Sequence, residues 1–273
     1  MGVVAGAFFV PHDPLVFIAP DAAGPDARAR VRQAYAEVAA RIDALEPDAA
    51  IVVGADHYIN FGPGCLPQYL IGVGEVCGPL ERFPGVPQGP LASCPSLARH
   101  IAESGFAEGF DWAVAKVITV DHSIGLPARV CLKPHVAVIP VYLASGVDPF
   151  LSLRRAYDLG SSILRAVQSW PQETRVVAIG SVGLSHWVGM PQQGQVSPDF
   201  DRKILGWLVA GEAERMIELT DAQILDQGGN GAMEIRNFLC AMAMVPGAGG
   251  TVIAYEPVPA WITGLGFAEL RPR

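Results

Sequence analysis

Four of the chain's six histidines each stand just past an apolar, strand-like run. His12 follows VVAGAFF, His57 follows AAIVVGA, His122 follows AVAKVIT, and His186 lies a few residues beyond RVVAIGS. A carboxylate, Glu234, sits in the stretch Gly231-Ala232-Met233-Glu234-Ile235-Arg236-Asn237. Open α/β sheets bind ligands outside the carboxyl ends of their strands. If these runs are parallel strands of one sheet, four imidazoles converge on one edge. Two histidines and one carboxylate can hold a ferrous ion with open positions. The other two imidazoles, with an ordinary pKa near neutrality, suit the movement of protons.

The elements that must position these residues follow from apolar periodicity. Residues 3–9 and Ala49–Gly54 read as buried strands. Between them Pro25 and Asp26 open a helix whose Val31, Ala34, Tyr35, Val38, Ala39, Ile42 and Leu45 share one face. A strand–helix–strand unit makes its two strands parallel and near neighbours. The Gly- and Pro-rich stretch Gly62–Pro95 reads as long loop with one strand at Tyr69–Val73. Leu97–Ser104 reads as a short helix, and Trp112–Thr119 and Val136–Leu143 as strands. A helix over Leu151–Gln168 leads into a strand at Arg175–Gly180. Asp199–Leu208, Ala213–Leu219, Ala222–Gln227 and Gly231–Met244 read as helices, and Gly250–Tyr255 as a final strand. The expected fold is α/β: one domain over residues 1–273, with a central, mostly parallel or mixed sheet flanked by helices and the site at strand C-terminal ends.

Each candidate has a structural reading beside the chemical one. Pro11 and Pro14 fix the backbone around His12. Asp56 precedes His57 and Asp121 precedes His122; each carboxylate can orient a ring or cap a turn. Gly183-Leu184-Ser185-His186-Trp187 lacks the second glycine of a Gly-x-Ser-x-Gly elbow, which disfavours a serine hydrolase. Glu234 in a first helical turn is stabilised by the helix dipole whether or not it binds anything. His100 and His135 have no supporting pattern and read as structural.

Composition narrows the class. A net charge of −8 without a basic stripe argues against nucleic acid. No apolar stretch reaches the roughly 18–20 residues of a membrane span, and no basic segment precedes the apolar start, so no signal peptide is read. Five scattered cysteines without CxxC spacing read as reduced thiols of a cytoplasmic protein. Charged residues at 17% are few, which favours an oligomer.

Five segments in register resemble the class III extradiol ring-cleavage dioxygenases. They are Val10-Pro11-His12-Asp13-Pro14, Ala55-Asp56-His57-Tyr58-Ile59-Asn60-Phe61, Val120-Asp121-His122-Ser123, Gly183-Leu184-Ser185-His186, and the Glu234 helix with the tail Tyr255–Gly264. The resemblance implies a non-haem Fe(II) enzyme that inserts both atoms of O2 into the ring of a carboxylated or otherwise substituted catechol. It implies His12, His57 and Glu234 as iron ligands, His186 as base, and His122 as proton donor or oxygen-binding partner. A homo-oligomer, with or without a small accessory subunit, is the expected assembly. Trp187 departs from the Gln expected after the base, which bears on substrate more than on chemistry. A zinc enzyme or a non-catalytic subunit on the same scaffold are the alternatives. A substrate carboxylate would want a basic partner, for which Arg82, Arg129 and Arg236 are available.

Overall fold

The apolar runs ending before His12 and His57 form strands β1 (Gly2–Val10) and β2 (Ala49–Gly54), joined through a short α1 (Leu15–Ile18) and a long α2 (Gly24–Asp43). This computed structural model describes residues 1–146 and 148–272. Then follow β3 (Tyr69–Cys77), β4 (Pro90–Leu91), α3 (Pro95–Ala107), β5 (Ala113–Thr119), α4 (His122–Cys131) and β6 (Ala137–Leu143). The second half comprises α5 (Leu153–Ser169), β7 (Thr174–Ser181), α6 (Pro198–Ala210), α7 (Ala213–Ile217), α8 (Asp221–Gly228), α9 (Ile235–Ala243), β8 (Gly249–Val258) and β9 (Thr263–Arg271). The expected α/β fold, a mixed sheet flanked by helices, is the one observed.

The sheet runs β4-β3-β6-β2-β7-β1-β9-β8, with β5 on β3. Its centre, β6-β2-β7-β1, is parallel. β1 and β2 are therefore parallel, as the crossover unit requires, but β7 lies between them. Central strands bury both faces, so their sequences read as continuous apolar runs. Alternate side chains divide between two cores. Phe8, Val10, Ala50 and Val52 face α2 and α4; Ala7, Phe9, Ile51 and Val53 face the layer of α5 and α9. Each fully buried Val or Ile contributes about 1.5–3 kcal/mol. The buried residues of α2, Val31, Ala34, Tyr35, Val38 and Ile42, are the expected helical stripe.

Three expectations need correction. β3 is antiparallel to β6 and β5 is parallel to β3, so β5 runs against the four central strands. His122 therefore does not reach the site from a parallel strand end. It opens α4, a buried helix absent from the sequence reading. The tail is likewise a strand, β9, paired antiparallel with β1 and β8. The stretch expected as one helix from Gly231 begins with a 3-10 turn, Gly231–Glu234, before α9. Among the described residues no helix is long and apolar enough to cross a membrane.

Candidate metal centre

His12 and His57 leave the C-terminal ends of β1 and β2 and meet Glu234, which comes from the 3-10 turn before α9. His12 Nε2 lies 3.4 Å from Glu234 Oε2. His57 Nε2 lies 3.1 Å from Glu234 Oε1. Metal bonds of about 2.0–2.2 Å to imidazole and carboxylate at right angles place neighbouring donors about 3 Å apart. The three side chains thus fit one small divalent ion. The rings of His12 and His57 stand edge to face with centroids 5.1 Å apart.

Both imidazoles are fixed by their other nitrogen. His12 Nδ1 pairs with Ser181 Oγ at 2.8 Å, from the last residue of the neighbouring β7. His57 Nδ1 donates to Asp121 Oδ2 at 2.8 Å. Such partners select the tautomer that leaves Nε2 free to bind a metal. The carboxylate that orients His57 is thus Asp121 and not its sequence neighbour. Asp56 caps the following turn, accepting from the amides of Asn60 and Phe61 at 2.9 and 3.0 Å. Asp121 is fully buried and holds further donors: Ser123 Oγ at 2.7 Å and the Tyr142 hydroxyl at 3.0 Å, both on Oδ1.

His122 and His186 flank this set. The His122 ring centroid is 4.2 Å from that of His57 and 5.5 Å from that of His12. Donor atoms of His12, His57 and His122 lie within 4.8 Å of one another, so these three imidazoles form a second conceivable ligand set. His122 Nδ1 is paired with Glu81 Oε1 at 2.6 Å. His186 Nδ1 donates to the Leu184 carbonyl at 2.9 Å, leaving Nε2 with its lone pair. The His186 ring lies against Gly231, where a Cβ would fall 2.0 Å from Nε2, so no larger residue fits there. The loop that carries His186 is bracketed by a buried carboxylate. Asp201 Oδ1 accepts from the Ser185 amide at 2.7 Å, and Oδ2 accepts from Ser185 Oγ at 2.9 Å and Tyr255 OH at 2.7 Å.

Burial and charge compete throughout the cluster. Burial would raise the Glu234 carboxyl, but the facing His12 and the His57 hydrogen bond hold it down at about 2. Burial would likewise raise Asp121, and the His57 hydrogen bond lowers it to about 2. Burial lowers His12 to about 3, with His57 and His122 adding to the effect. For His57 burial also works against the proton, yet the Asp121 and Glu234 carboxylates outweigh it and raise the pKa well above 6.5. Burial lowers His186 below its usual value. In the metal-free state the imidazole of the candidate ligand set favoured to carry a proton is therefore His57, where a divalent ion would compete with that proton.

All five residues singled out in the sequence come together. Four supporting residues were not anticipated: Glu81, Ser181, Tyr142 and Asp201. Ser181 and Tyr142 are lone polar residues in apolar strands, and Glu81 and Asp201 carry no spacing that marks them. The arginines considered for a substrate carboxylate are mostly engaged. Arg129 donates to the carbonyls of Gly78, Gly89 and Pro90. Arg236 is buried, bonded to the Leu151 and Met233 carbonyls and Asp221. Arg82 is exposed. His135 is exposed, and His100 bonds Ser169 Oγ at 2.9 Å, away from the cluster.

Residues 6–266 match the family model described as the catalytic LigB subunit of aromatic ring-opening dioxygenase. Among similar proteins is a 2,3-dihydroxyphenylpropionate/2,3-dihydroxicinnamic acid 1,2-dioxygenase of Burkholderia vietnamiensis. It is 28% identical, over 89% of this chain and 90% of that protein. The enzymes of the same name from Paraburkholderia xenovorans and Rhodococcus jostii are 26% and 25% identical, over 91% and 81% of this chain and 92% and 84% of theirs. The crystal structure of the uncharacterized Escherichia coli K12 protein JW3007 superposes with a TM-score of 0.61 at 14% identity, covering 97% of this chain and 99% of that one; this is a likeness of fold.

Proposed function

The chain belongs to the LigB family of aromatic ring-opening dioxygenases and is a ring-cleavage dioxygenase, and we propose that it uses Fe(II) to cleave a catechol in the extradiol manner. In this reading residues 1–273 form one catalytic unit. His12, His57 and Glu234 hold the iron, His186 is the base, and His122 is the proton donor. The observation that carries it is the donor set itself: two imidazoles, each with Nδ1 engaged, aim Nε2 at separate oxygens of one carboxylate.

Iron held by His12, His57 and Glu234 would supply the redox and Lewis-acid chemistry of the reaction. The chain's own residues manage protons. His186 keeps Nε2 unprotonated because Nδ1–H is committed to the Leu184 carbonyl and burial disfavours the cation. It takes a proton from a catechol hydroxyl. His122, also beside the ligand set, would give a proton from Nε2 when doubly protonated, its Nδ1–H being held by Glu81. Each such step contributes about 10²–10⁴-fold. Insertion of both oxygen atoms gives a ring-opened semialdehyde acid.

The relatives' names point to a catechol with an acidic side chain. Of the three arginines considered for such a group, Arg82 alone is not engaged with backbone carbonyls. The test is oxygen uptake by protein loaded anaerobically with Fe(II), against 2,3-dihydroxyphenylpropionate, protocatechuate, gallate and uncharged catechols. One O2 consumed per catechol with a new visible band is expected. Turnover with Zn(II) in place of Fe(II), or iron bound without uptake on any catechol, overturns the reading.

A further inference from the structure

We propose that Glu81 is a positioning residue for His122, and that one face of α4 is built to deliver it. The inference rests on the reading of His122 as a proton donor. Glu81 lies in the loop between β3 and β4, and its Oε1 accepts from His122 Nδ1 at 2.6 Å. With Nδ1 so held, Nε2 is the nitrogen left to face the His12–His57 side. Asp121, the adjacent carboxylate in sequence, does not share this task. Its Oδ2 is 3.9 Å from His122 Nδ1, beyond hydrogen-bond reach, and is committed to His57.

The contact is built, not incidental. His122, Gly125 and Arg129 are spaced i, i+3 and i+7 and share one face of α4. His122 meets Glu81. Gly125 lets Pro79 of the loop lie against the helix, where a Cβ would fall 2.6 Å from the proline ring. Arg129 then gathers the carbonyls of Gly78, Gly89 and Pro90, both ends of the same loop. The Leu80 amide donates to Val120 O at 2.8 Å, next to the glutamate. The helix that carries the histidine therefore also staples the loop that orients it. Phe83 of that loop stands edge-on to the His122 ring at 6.3 Å.

Glu81 has a second distinguishing feature. Its Oε2 is buried and has no hydrogen-bond partner among the described residues. Leaving a buried carboxylate oxygen unpaired costs stability. Packing alone does not call for such a group, since an apolar side chain would fill the space without that cost. An acceptor for His122 does call for it.

The experiment compares Glu81→Ala, Glu81→Gln and Arg129→Ala with the unaltered chain. The ring ¹⁵N–¹H signals of His122 are read in metal-free protein, assigned by their loss in His122→Ala. Metal content and oxygen-uptake kinetics are read in iron-loaded protein. Glu81→Ala is expected to lose or shift the His122 Nδ1–H signal. Its kcat should fall about tenfold or more, as for outer partners of site histidines, with KM and bound iron near unchanged. Glu81→Gln, whose amide oxygen still accepts, restores most of kcat, and Arg129→Ala falls between. Should Glu81→Ala not fold, Glu81→Met against Glu81→Gln carries the same test, since Met fills the space without an acceptor. An unchanged His122 ring signal, or equal kcat in all variants, overturns the proposal. If no variant and no wild-type sample takes up oxygen, the dioxygenase reading fails, while the ring signals still decide the Glu81–His122 contact.

Discussion

His186 and His122 flank the same cluster, yet they rest on different supports. His186 donates Nδ1–H to a neutral backbone carbonyl, that of Leu184. His122 pairs Nδ1 with a carboxylate, that of Glu81. The carbonyl holds the ring through a neutral acceptor, and burial of the ring disfavours its cation. A carboxylate holds the ring through a charged acceptor, which makes the stronger hydrogen bond. The surroundings of the two rings differ too: the His186 ring packs on Gly231, while His122 Nδ1 is held by Glu81, with Asp121 Oδ2 3.9 Å away. In the proposed function the first ring takes a proton and the second gives one.

The largest expected effect removes what both flanks serve. Glu234→Ala should lose iron and with it all measurable turnover, whereas His122→Ala should bind iron as the wild type does. Metal analysis after anaerobic loading separates the two ligand sets that share His12 and His57. Iron retained by Glu234→Ala but lost by His122→Ala would reverse the assignment in favour of the three imidazoles.

Next comes the comparison itself. His186→Ala should keep iron and lose about 10²–10⁴-fold in kcat. Because burial lowers the His186 pKa, the wild-type acid limb of kcat/KM should lie below the ordinary histidine value of 6.5. As pH falls through that lowered pKa the base is protonated and activity drops. His186→Ala should lack this limb. A limb that persists there belongs to another group, and His186 is then not the base.

How much of this division could be read in the sequence differs between the two flanks. β1, β2 and β7 are continuous apolar runs, and the residues beyond their ends, His12, His57 and His186, could be placed at one edge from topology alone. His122 arrives differently. Its helix contains Gly125 and Pro127, which intrinsic propensity places outside helices; packing against α2 and the 78–90 loop overrides that preference. β9 was hidden because its residues are buried on both faces and Gly264 and Gly266 dilute the strand signal. Glu81 could not be seen at all. Its partner lies 41 residues away in sequence and is brought to it only by the loop that Arg129 staples.

A smaller effect tests the His186 flank through its bracket. Asp201 is fully buried, and burial raises its carboxyl to about 6 despite hydrogen bonds from Tyr255 and Ser185. The folded state holds this proton more tightly than the unfolded chain, whose value is 3.8. The ionised carboxylate therefore costs the fold about 3 kcal/mol at neutral pH. That cost is relieved as pH falls from above 6 towards 4. Asp201→Asn should remove this slope in a plot of Tm against pH and, by loosening Ser185, lower kcat severalfold with iron content unchanged. A wild-type slope that survives in the variant assigns the titration elsewhere.

The smallest effect concerns the other flank. Tyr142 donates its hydroxyl to Asp121 Oδ1 at 3.0 Å and accepts from the Asp121 amide at 3.0 Å. Tyr142→Phe leaves the ring packed but takes one donor from a buried carboxylate that still has Ser123 on the same oxygen. Such a loss costs about 0.5–1.5 kcal/mol. Asp121 acts on His57 and not on the proton-moving histidines, so the loss should appear as a few-fold weaker hold on iron, with kcat of the fully loaded enzyme unchanged. Titration of iron into the metal-free variant, followed by turnover at saturation, separates these quantities. A fall in saturated kcat without weaker binding would show that Asp121 also steadies His122, and the two flanks would then share a support that the distances keep apart.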